Sequence, residues 1–195
     1  MFDAELKELP RDIGDLCKLE VLELGDHLLE VLPSSLGYLN SLKYLWVKNC
    51  PGLKCLLDTF GRLNQLTELR LISCGIQKLR QDVLLLNNLK YFLIEYFPLG
   101  ELPFKTPEQE RERVATLNEL DDSNDEPVFG FDRLQILYLC RVQIRQVTFL
   151  ERVCRNLQEL YLCGSKELRQ VGRLCGIYDG EKVDELTSLE TWTSL

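Results

Sequence analysis

Cysteine is the residue type in this chain that offers the most varied chemistry, because thiolates bind metals, form disulfides and act as nucleophiles. The eight cysteines are Cys17, Cys50, Cys55, Cys74, Cys140, Cys154, Cys163 and Cys175. No two of them are spaced as Cys-x-x-Cys and the only histidine is His27, so the spacing of a zinc site is missing. We expect buried, reduced thiols, although the even number would also permit disulfides in a secreted protein.

Catalytic residues are also hard to assemble. With a single histidine, Ser-His-Asp and Cys-His arrangements lack their base, and the 31 carboxylates show no paired spacing that singles out an acid and a base. No G-x-x-x-x-G-K-[ST] phosphate loop occurs. The chain is therefore predicted to be no enzyme and to need no cofactor, and His27 is interpreted as a structural, hydrogen-bonded residue.

Charge and hydropathy narrow the choice of partners and location. The net charge of −8 argues against a nucleic-acid partner, which binds through Lys and Arg. No apolar run approaches the roughly 18 residues of a membrane span, and no basic cluster suits an anionic membrane. The first residues lack the pattern of a signal peptide, and no Asn-x-Ser/Thr acceptor occurs. These features favour an intracellular, cytoplasmic protein.

A repeated pattern, L-x-x-L-x-L, organises most of the chain. Six segments carry it: 19–24 (LEVLEL), 42–47 (LKYLWV), 66–71 (LTELRL), 89–94 (LKYFLI), 134–139 (LQILYL) and 157–162 (LQELYL). Their starts are 23, 24, 23, 45 and 23 residues apart, and a seventh begins at Leu189. A fixed period of this length is typical of repeats that stack and share one core.

The residues between the segments complete a stacking unit. Apolar positions follow each start by about 13, 17 and 20 residues, with Leu-Pro pairs at 9–10, 32–33 and 102–103. Gly14, Gly37 and Gly61 recur shortly before the next segment. We predict one domain over 1–195, an α/β right-handed solenoid of about six to seven repeats. Its curved parallel sheet lies on the concave side, and short helices, 3₁₀ turns and loops lie on the convex side.

Two longer spacings predict insertions on the convex side, at 104–127 and at 175–182. The first contains eight acidic and three basic residues, and it is either a solvated loop or a docking or regulatory segment. A hidden degenerate repeat would also fit its length. Both chain ends fall within a unit, so Leu6, Leu9 and Leu195 are expected to be exposed and to favour association.

Residues between the core leucines of each strand are expected on the concave, solvent-facing side. Aromatic and charged side chains gather there, as in protein-binding hot spots, although aromatic residues also simply favour strands. The predicted protein-binding residues are Tyr44, Trp46, Lys48, Arg70, Tyr91, Leu93, Glu95, Tyr138 and Tyr161.

The units resemble the leucine-rich repeats of plant intracellular disease-resistance proteins, the nucleotide-binding leucine-rich-repeat receptors. LPRDIGDLCKLEVLEL and FGRLNQLTELRLISC carry the resemblance, as do Cys50 and Cys74, eight residues after a strand start. Four other units have a different residue at this position: His27, Phe97, Val142 and Ser165. The resemblance implies recognition of a pathogen effector or a guarded host protein, and restraint of a nucleotide-binding switch domain that is absent from this chain.

Two other functions fit a repeat scaffold. A stand-alone signalling scaffold of the Ras-group type shares short LPxxI units and regular 23-residue periods. An F-box-type substrate receptor for ubiquitin ligation also carries Cys in its repeats, but its units are longer. The cysteine after the strand and the long insertions favour the immune receptor.

Overall fold

The fold was obtained as a computed structural model and is described for residues 7–25, 28–98, 131–144, 146–147, 150–166 and 170–171. These residues form eight strands, in chain order β1 (Val21–Gly25), β2 (Tyr44–Lys48), β3 (Glu68–Ile72), β4 (Tyr91–Glu95), β5 (Ile136–Cys140), β6 (Gln146–Val147), β7 (Glu159–Tyr161) and β8 (Gln170–Val171). Six of them form one parallel sheet in the order β1-β2-β3-β4-β5-β7. The short strands β6 and β8 pair separately, a second contact that the sequence pattern did not predict.

Short helical turns lie on the convex side, before or between strands, in the described parts of the chain. Four of these are 3₁₀ helices, at Ile13–Asp15, Ser34–Tyr38, Phe60–Arg62 and Gln81–Leu85, and one is the α-helix α1, Leu150–Val153. A period of 23 or 24 residues leaves little room for longer helices. The predicted solenoid, with its concave parallel sheet and short convex turns, is confirmed.

The strands pair in the register that the repeat predicts. One position of the pattern places Leu22, Leu45, Leu69, Phe92, Leu137 and Leu160 side by side on successive strands. Strand β4 pairs directly with β5 although their units start 45 residues apart, so the two strands are neighbours in the sheet. The insertions predicted at 104–127 and 175–182 lie outside the described residues.

Apolar side chains from the strands and the convex turns share one continuous core. Leu45 and Leu69 from the strands, and Leu36 and Leu39 from a convex turn, are all fully buried. Burial of one such side chain contributes about 1.5–3 kcal/mol, and no single unit could bury both of its faces alone. Stacking of the units is therefore what stabilises the solenoid.

Glycine is required where one convex turn packs on the next. A Cβ atom would come within 2.4–2.6 Å of a backbone oxygen of the following unit at Gly14 (Ser35), Gly37 (Thr59) and Gly61 (Asp82). The fourth unit has Leu84 at this position, and its side chain is 6% exposed. The glycines thus permit close contact between consecutive units.

Each strand of the main sheet from β2 onward is followed by a residue in the left-handed region. These are Asn49, Ser73, Tyr96, Arg141 and Gly164, with φ between 52° and 61°. The N–H of Ser73 donates to Glu95 O at 2.9 Å, and the N–H of Arg141 donates to Cys163 O at 2.7 Å. Because these bonds join neighbouring units, the reversals after β2, β3, β4 and β5 are held by the unit that follows.

The residue after this reversal turns into the core. The thiol of Cys74 donates to Val47 O at 3.6 Å, and the hydroxyl of Ser165 donates to Leu139 O at 3.0 Å, the equivalent carbonyl of its own neighbour. Phe97 and Val142 are buried at the same position. The residues that replace cysteine at this position therefore preserve either its hydrogen bond or its apolar contact. His27 lies outside the described residues.

The remaining cysteines correct part of the sequence interpretation. All seven cysteines in the described part of the chain are free thiols. Cys50, Cys74, Cys140 and Cys154 are buried as expected, whereas Cys17 and Cys55 are exposed, so the expectation of uniform burial was wrong. Cys175 lies beyond the described ranges.

The first unit is more exposed than the units that follow. Leu16 is 51% exposed, whereas Leu39, at the same position one unit later, is completely buried. Leu9, however, is 8% exposed, so its predicted exposure was wrong: it packs into the core formed with the next unit. Leu6 and Leu195 lie outside the described residues.

Candidate protein-binding surface on the concave sheet face

The nine predicted residues lie on one face of the main sheet, between the buried positions of each strand. We call this set the concave stripe: Tyr44, Trp46, Lys48, Arg70, Tyr91, Leu93, Glu95, Tyr138 and Tyr161. The register places Trp46, Arg70, Leu93, Tyr138 and Tyr161 in one row across five strands. Alternation along each strand is the cause, because the neighbouring residues on either side point into the core.

The N-terminal half of the stripe is a cation held between two aromatic rings. Arg70 Cζ lies 5.3 Å from the centroid of the Trp46 ring and 5.0 Å from that of Tyr91. Glu68 Oε1 accepts from both Trp46 Nε1 (2.8 Å) and Arg70 Nε (2.5 Å). The edge of Tyr44 meets Trp46 at 6.4 Å between centroids. The guanidinium group is thus fixed by two rings and one carboxylate.

The C-terminal half of the stripe is a stack of tyrosines. Tyr138 and Tyr161 are parallel within 1°, with centroids 4.0 Å apart, and Tyr91 meets Tyr138 at 5.4 Å. The hydroxyl of Tyr161 donates to Glu159 Oε2 at 2.8 Å. Ring contacts of this kind add about 0.5–1.5 kcal/mol each beyond the area they bury. The rings support one another and need little reordering on binding.

Two phenols of this half, those of Tyr91 and Tyr161, have raised pKa values. Burial raises the pKa of Tyr91 to about 12, although the positive charge of Arg70 opposes the rise. The pKa of Tyr161 is raised chiefly by the hydrogen bond that its hydroxyl gives to Glu159. Both side chains therefore remain neutral hydroxyl groups over the physiological range.

Three cations on and beside the stripe are paired with carboxylates of the same surface. Lys48 Nζ lies 2.7 Å from Glu23 Oε1, and Arg141 Nη1 lies 3.2 Å from Glu95 Oε1. Lys48 also lies 5.5 Å from the centroid of the Trp46 ring. Together with the Glu68–Arg70 pair, these contacts leave the face nearly neutral despite its many ionised groups.

The structure adds four residues that sequence reasoning did not select. Glu68 and Glu159 lie on the same face and hold ring or guanidinium groups of the stripe. Tyr96 and Arg141 follow strands β4 and β5, and Arg141 Cζ lies 4.6 Å from the Tyr96 ring. Both occupy the left-handed position after the strand, seven residues after a repeat start. Their long side chains at this position, on adjacent strands, could have marked them.

Two buried thiols, those of Cys140 and Cys154, have raised pKa values. Burial, the largest effect, and contact with Cys163 raise the pKa of the Cys140 thiol to about 12, so it is protonated and unreactive. Burial raises the pKa of Cys154 to about 12 in the same way. Among the described residues, no cluster of three or more His, Cys, Asp or Glu side chains could hold a metal. The described helices also include none with the length and apolar character needed to cross a membrane.

Comparison with known sequences gives one partial match. No protein-family model matches the chain. Over 107 residues, 54% of its length, the chain is 35% identical to the disease resistance protein RPP5 of Arabidopsis thaliana. The match covers 7% of that much longer protein.

Comparison with solved structures identifies the fold. A leucine-rich-repeat protein of Leptospira interrogans matches 95% of this chain and 45% of its own, with a TM-score of 0.59 and 21% identity. The leucine-rich-repeat domain of the type III effector XopL matches 87% of this chain and 61% of its own, with a TM-score of 0.58 and 23% identity. The chain is a leucine-rich-repeat solenoid.

Proposed function

We propose that this chain recognises another protein through the concave stripe, as the ligand-sensing and autoinhibitory leucine-rich-repeat part of a plant immune receptor. The observation that carries the proposal is a continuous series of ring and cation contacts from Tyr44 to Tyr161 on the solvent-facing side of the sheet. We call this series of contacts within the concave stripe the ladder. No packing requirement of the core places aromatic rings there, because the core lies on the other face.

The composition of the ladder supports protein binding over a purely structural role. Tyrosine, tryptophan and arginine are the residues that contribute most to protein–protein hot spots. Arg70 and the stacked tyrosines are held by their neighbours before any partner arrives, which lowers the entropic cost of binding. Tyr44 is 37% exposed, and the other rings of the ladder are partly exposed.

The receptor assignment draws its support from the partial likeness to a disease resistance protein. On that assignment, the stripe binds a pathogen effector or a guarded host protein. Other surfaces of the solenoid then restrain a nucleotide-binding switch domain elsewhere in the receptor. Nucleic acid and membrane are not expected among its partners.

Site-specific photocrosslinking tests both parts of this proposal. Benzoylphenylalanine is placed at Tyr138 on the concave face or at Tyr38 on the convex face, where the native tyrosine is 52% exposed. Each variant is expressed in plant tissue with and without pathogen challenge. We expect protein crosslinks from position 138, with a pathogen protein or a challenge-dependent host protein among them.

Each outcome decides a different part. Equal crosslinking from positions 38 and 138 would contradict the concave stripe as the binding surface. Crosslinks from position 138 that are identical with and without challenge, and that contain ubiquitin-ligase subunits or small GTPases, would contradict the immune role while retaining protein recognition.

A further inference from the structure

The concave stripe has dimensions and charges that restrict the kind of segment it can bind. Strands lie about 4.8 Å apart, so the ladder from β2 to β7 extends across roughly 19 Å of sheet. Along each strand the rings occupy at most two alternate positions, about 7 Å apart, and the ion-paired Lys48 and Glu95 occupy the next alternate position. The stripe is therefore long in the direction that crosses the strands and narrow in the other.

An α-helix fits this shape poorly. Its diameter with side chains is about 10–12 Å, wider than the ring ladder. A helix along the stripe would cover the Glu23–Lys48 pair at one end and the Glu95–Arg141 pair towards the other. Covering an ion pair costs desolvation energy that the pair does not fully return. An extended segment can contact the rings and leave both pairs in water.

The pairing of charges indicates a partner segment without net charge. Glu68 neutralises Arg70, Glu23 neutralises Lys48 and Glu95 neutralises Arg141. Glu159 has no cationic partner among the described residues, but its Oε2 accepts from the hydroxyl of Tyr161 at 2.8 Å. A strongly acidic or basic segment would therefore meet at most one uncompensated charge on this face. The complement of this surface is a neutral chain with apolar groups and hydrogen-bond acceptors.

Arg70 supplies the donor for such acceptors. Its Nε atom is bonded to Glu68, and the guanidinium group carries four further N–H groups. The rings of Trp46 and Tyr91 fix the plane of the group, and its side chain is 37% exposed. Because Glu68 already balances its charge, a neutral carbonyl oxygen suits it better than a second carboxylate.

Polyproline II geometry matches the spacing of the strands. A polyproline II segment has three residues per turn and rises about 9.3 Å per turn, and its backbone carbonyls make no internal hydrogen bonds. Two strand spacings amount to about 9.6 Å. Every third residue of such a segment would therefore meet the stripe at alternate strands, and about six residues would span it.

We propose that the concave stripe binds an uncharged, proline-containing segment of its protein partner. The segment is extended, runs across the strands and places a backbone carbonyl oxygen on the guanidinium group of Arg70. This inference rests on the proposed function, since it specifies the chemistry of the partner at the same surface.

Selection from a displayed library of random peptides, each of about twelve residues, tests the inference on the full chain. We expect the selected peptides to be enriched in proline and depleted in Asp, Glu, Lys and Arg relative to the library. Arg70→Ala should weaken their binding at least tenfold and Arg70→Lys severalfold, because lysine keeps the charge but loses the planar fork. Tyr38→Ala on the convex face is the matched control and should leave their affinity unchanged.

Salt dependence provides a second measurement on the same peptides. Binding that does not rely on net charge should change less than about twofold between roughly 50 and 500 mM salt. Charged peptides, peptides with the apolar spacing of a helix, or no enrichment at all would overturn the inference. If charged peptides still lose affinity on Arg70→Ala, the proposed function stands, whereas selected peptides unaffected by stripe substitutions would count against both proposals.

Discussion

Alternate residues of the same strands form two ladders that are held by different forces. The interior ladder contains Leu45, Leu69 and Leu137, whose side chains are 0–2% exposed. Another apolar residue could occupy each position, because only apolar burial is required there. The concave ladder contains Trp46, Arg70 and Tyr138, and each member depends on its particular neighbour for a ring or ion contact. The interior ladder therefore determines stability, and the concave ladder is available for binding.

Truncation of the interior ladder should have the largest effect. Leu69→Ala removes a fully buried side chain and should lower the free energy of unfolding by about 2–5 kcal/mol. Ile72→Ala on the same strand, where the side chain is partly exposed, should cost less than half as much. Urea denaturation of both variants measures the difference, and equal losses would remove the distinction between the two ladders.

A side chain added between convex turns should have the next largest effect. In Gly37→Ala the new Cβ would meet Thr59 O at 2.6 Å, so the two units must separate. We expect a loss of about 1–3 kcal/mol in the free energy of unfolding. Gly25→Ala is the control, since the nearest atom there lies at 3.8 Å and the change should be small. Thermal unfolding of the pair would show whether glycine is needed for close packing.

The contacts between rings and cations in the concave ladder should contribute less to the free energy of unfolding than the two preceding features. A double-mutant cycle on Trp46 and Arg70 should give a coupling energy of about 0.5–1 kcal/mol. The matched cycle on the convex side uses Tyr38 and Arg62, where Cζ lies 5.4 Å from the ring centroid. We expect the convex coupling to be of similar size, because the cycle isolates one ring–cation pair in each case and Arg62 Nη1 also donates to the Tyr38 hydroxyl at 3.0 Å. A coupling above about 2 kcal/mol at Trp46 would make the stripe a structural element instead.

Alkaline pH should produce the smallest effect. Since burial raises the pKa of Tyr91 to about 12, the folded state holds its proton more tightly than the unfolded state, where the value is about 10. This contribution to stability is complete below about pH 10 and is lost as the pH rises towards 12. Ultraviolet titration of tyrosinate should show late ionisation above about pH 10, and Tyr91→Phe should remove part of its amplitude while Tyr161 retains the rest. An unchanged late amplitude in Tyr91→Phe would mean that Tyr91 is fully hydrated.

The sequence predicted the interior ladder almost completely because burial imposes one rule on every repeat. It predicted the membership of the concave ladder too, since alternation along a strand decides the face. It could not predict that Arg70 lies between Trp46 and Tyr91, because side chains from three units must adopt compatible rotamers. Nor could it predict that Arg141 contacts the ring of Tyr96, because both residues lie in the left-handed region that follows a strand.

The sequence predicted the burial of some cysteines correctly and of others wrongly. Cys50 and Cys74 occupy a fixed position of the repeat, and their burial follows from that position. Cys17 and Cys55 occupy no such position, and composition alone suggested burial that the structure does not have. Position within the repeat therefore predicts the burial of a cysteine better than residue type alone.

The most direct test of the central claim is the affinity of a photocrosslinked partner for three forms of the chain. Calorimetric titration compares the wild type with Tyr138→Ala on the concave face and Tyr38→Ala on the convex face. We predict at least a tenfold loss of affinity, or about 1.4 kcal/mol, for Tyr138→Ala and less than a twofold change for Tyr38→Ala. Unchanged affinity in Tyr138→Ala, in a chain that still unfolds cooperatively, would contradict recognition through the concave stripe.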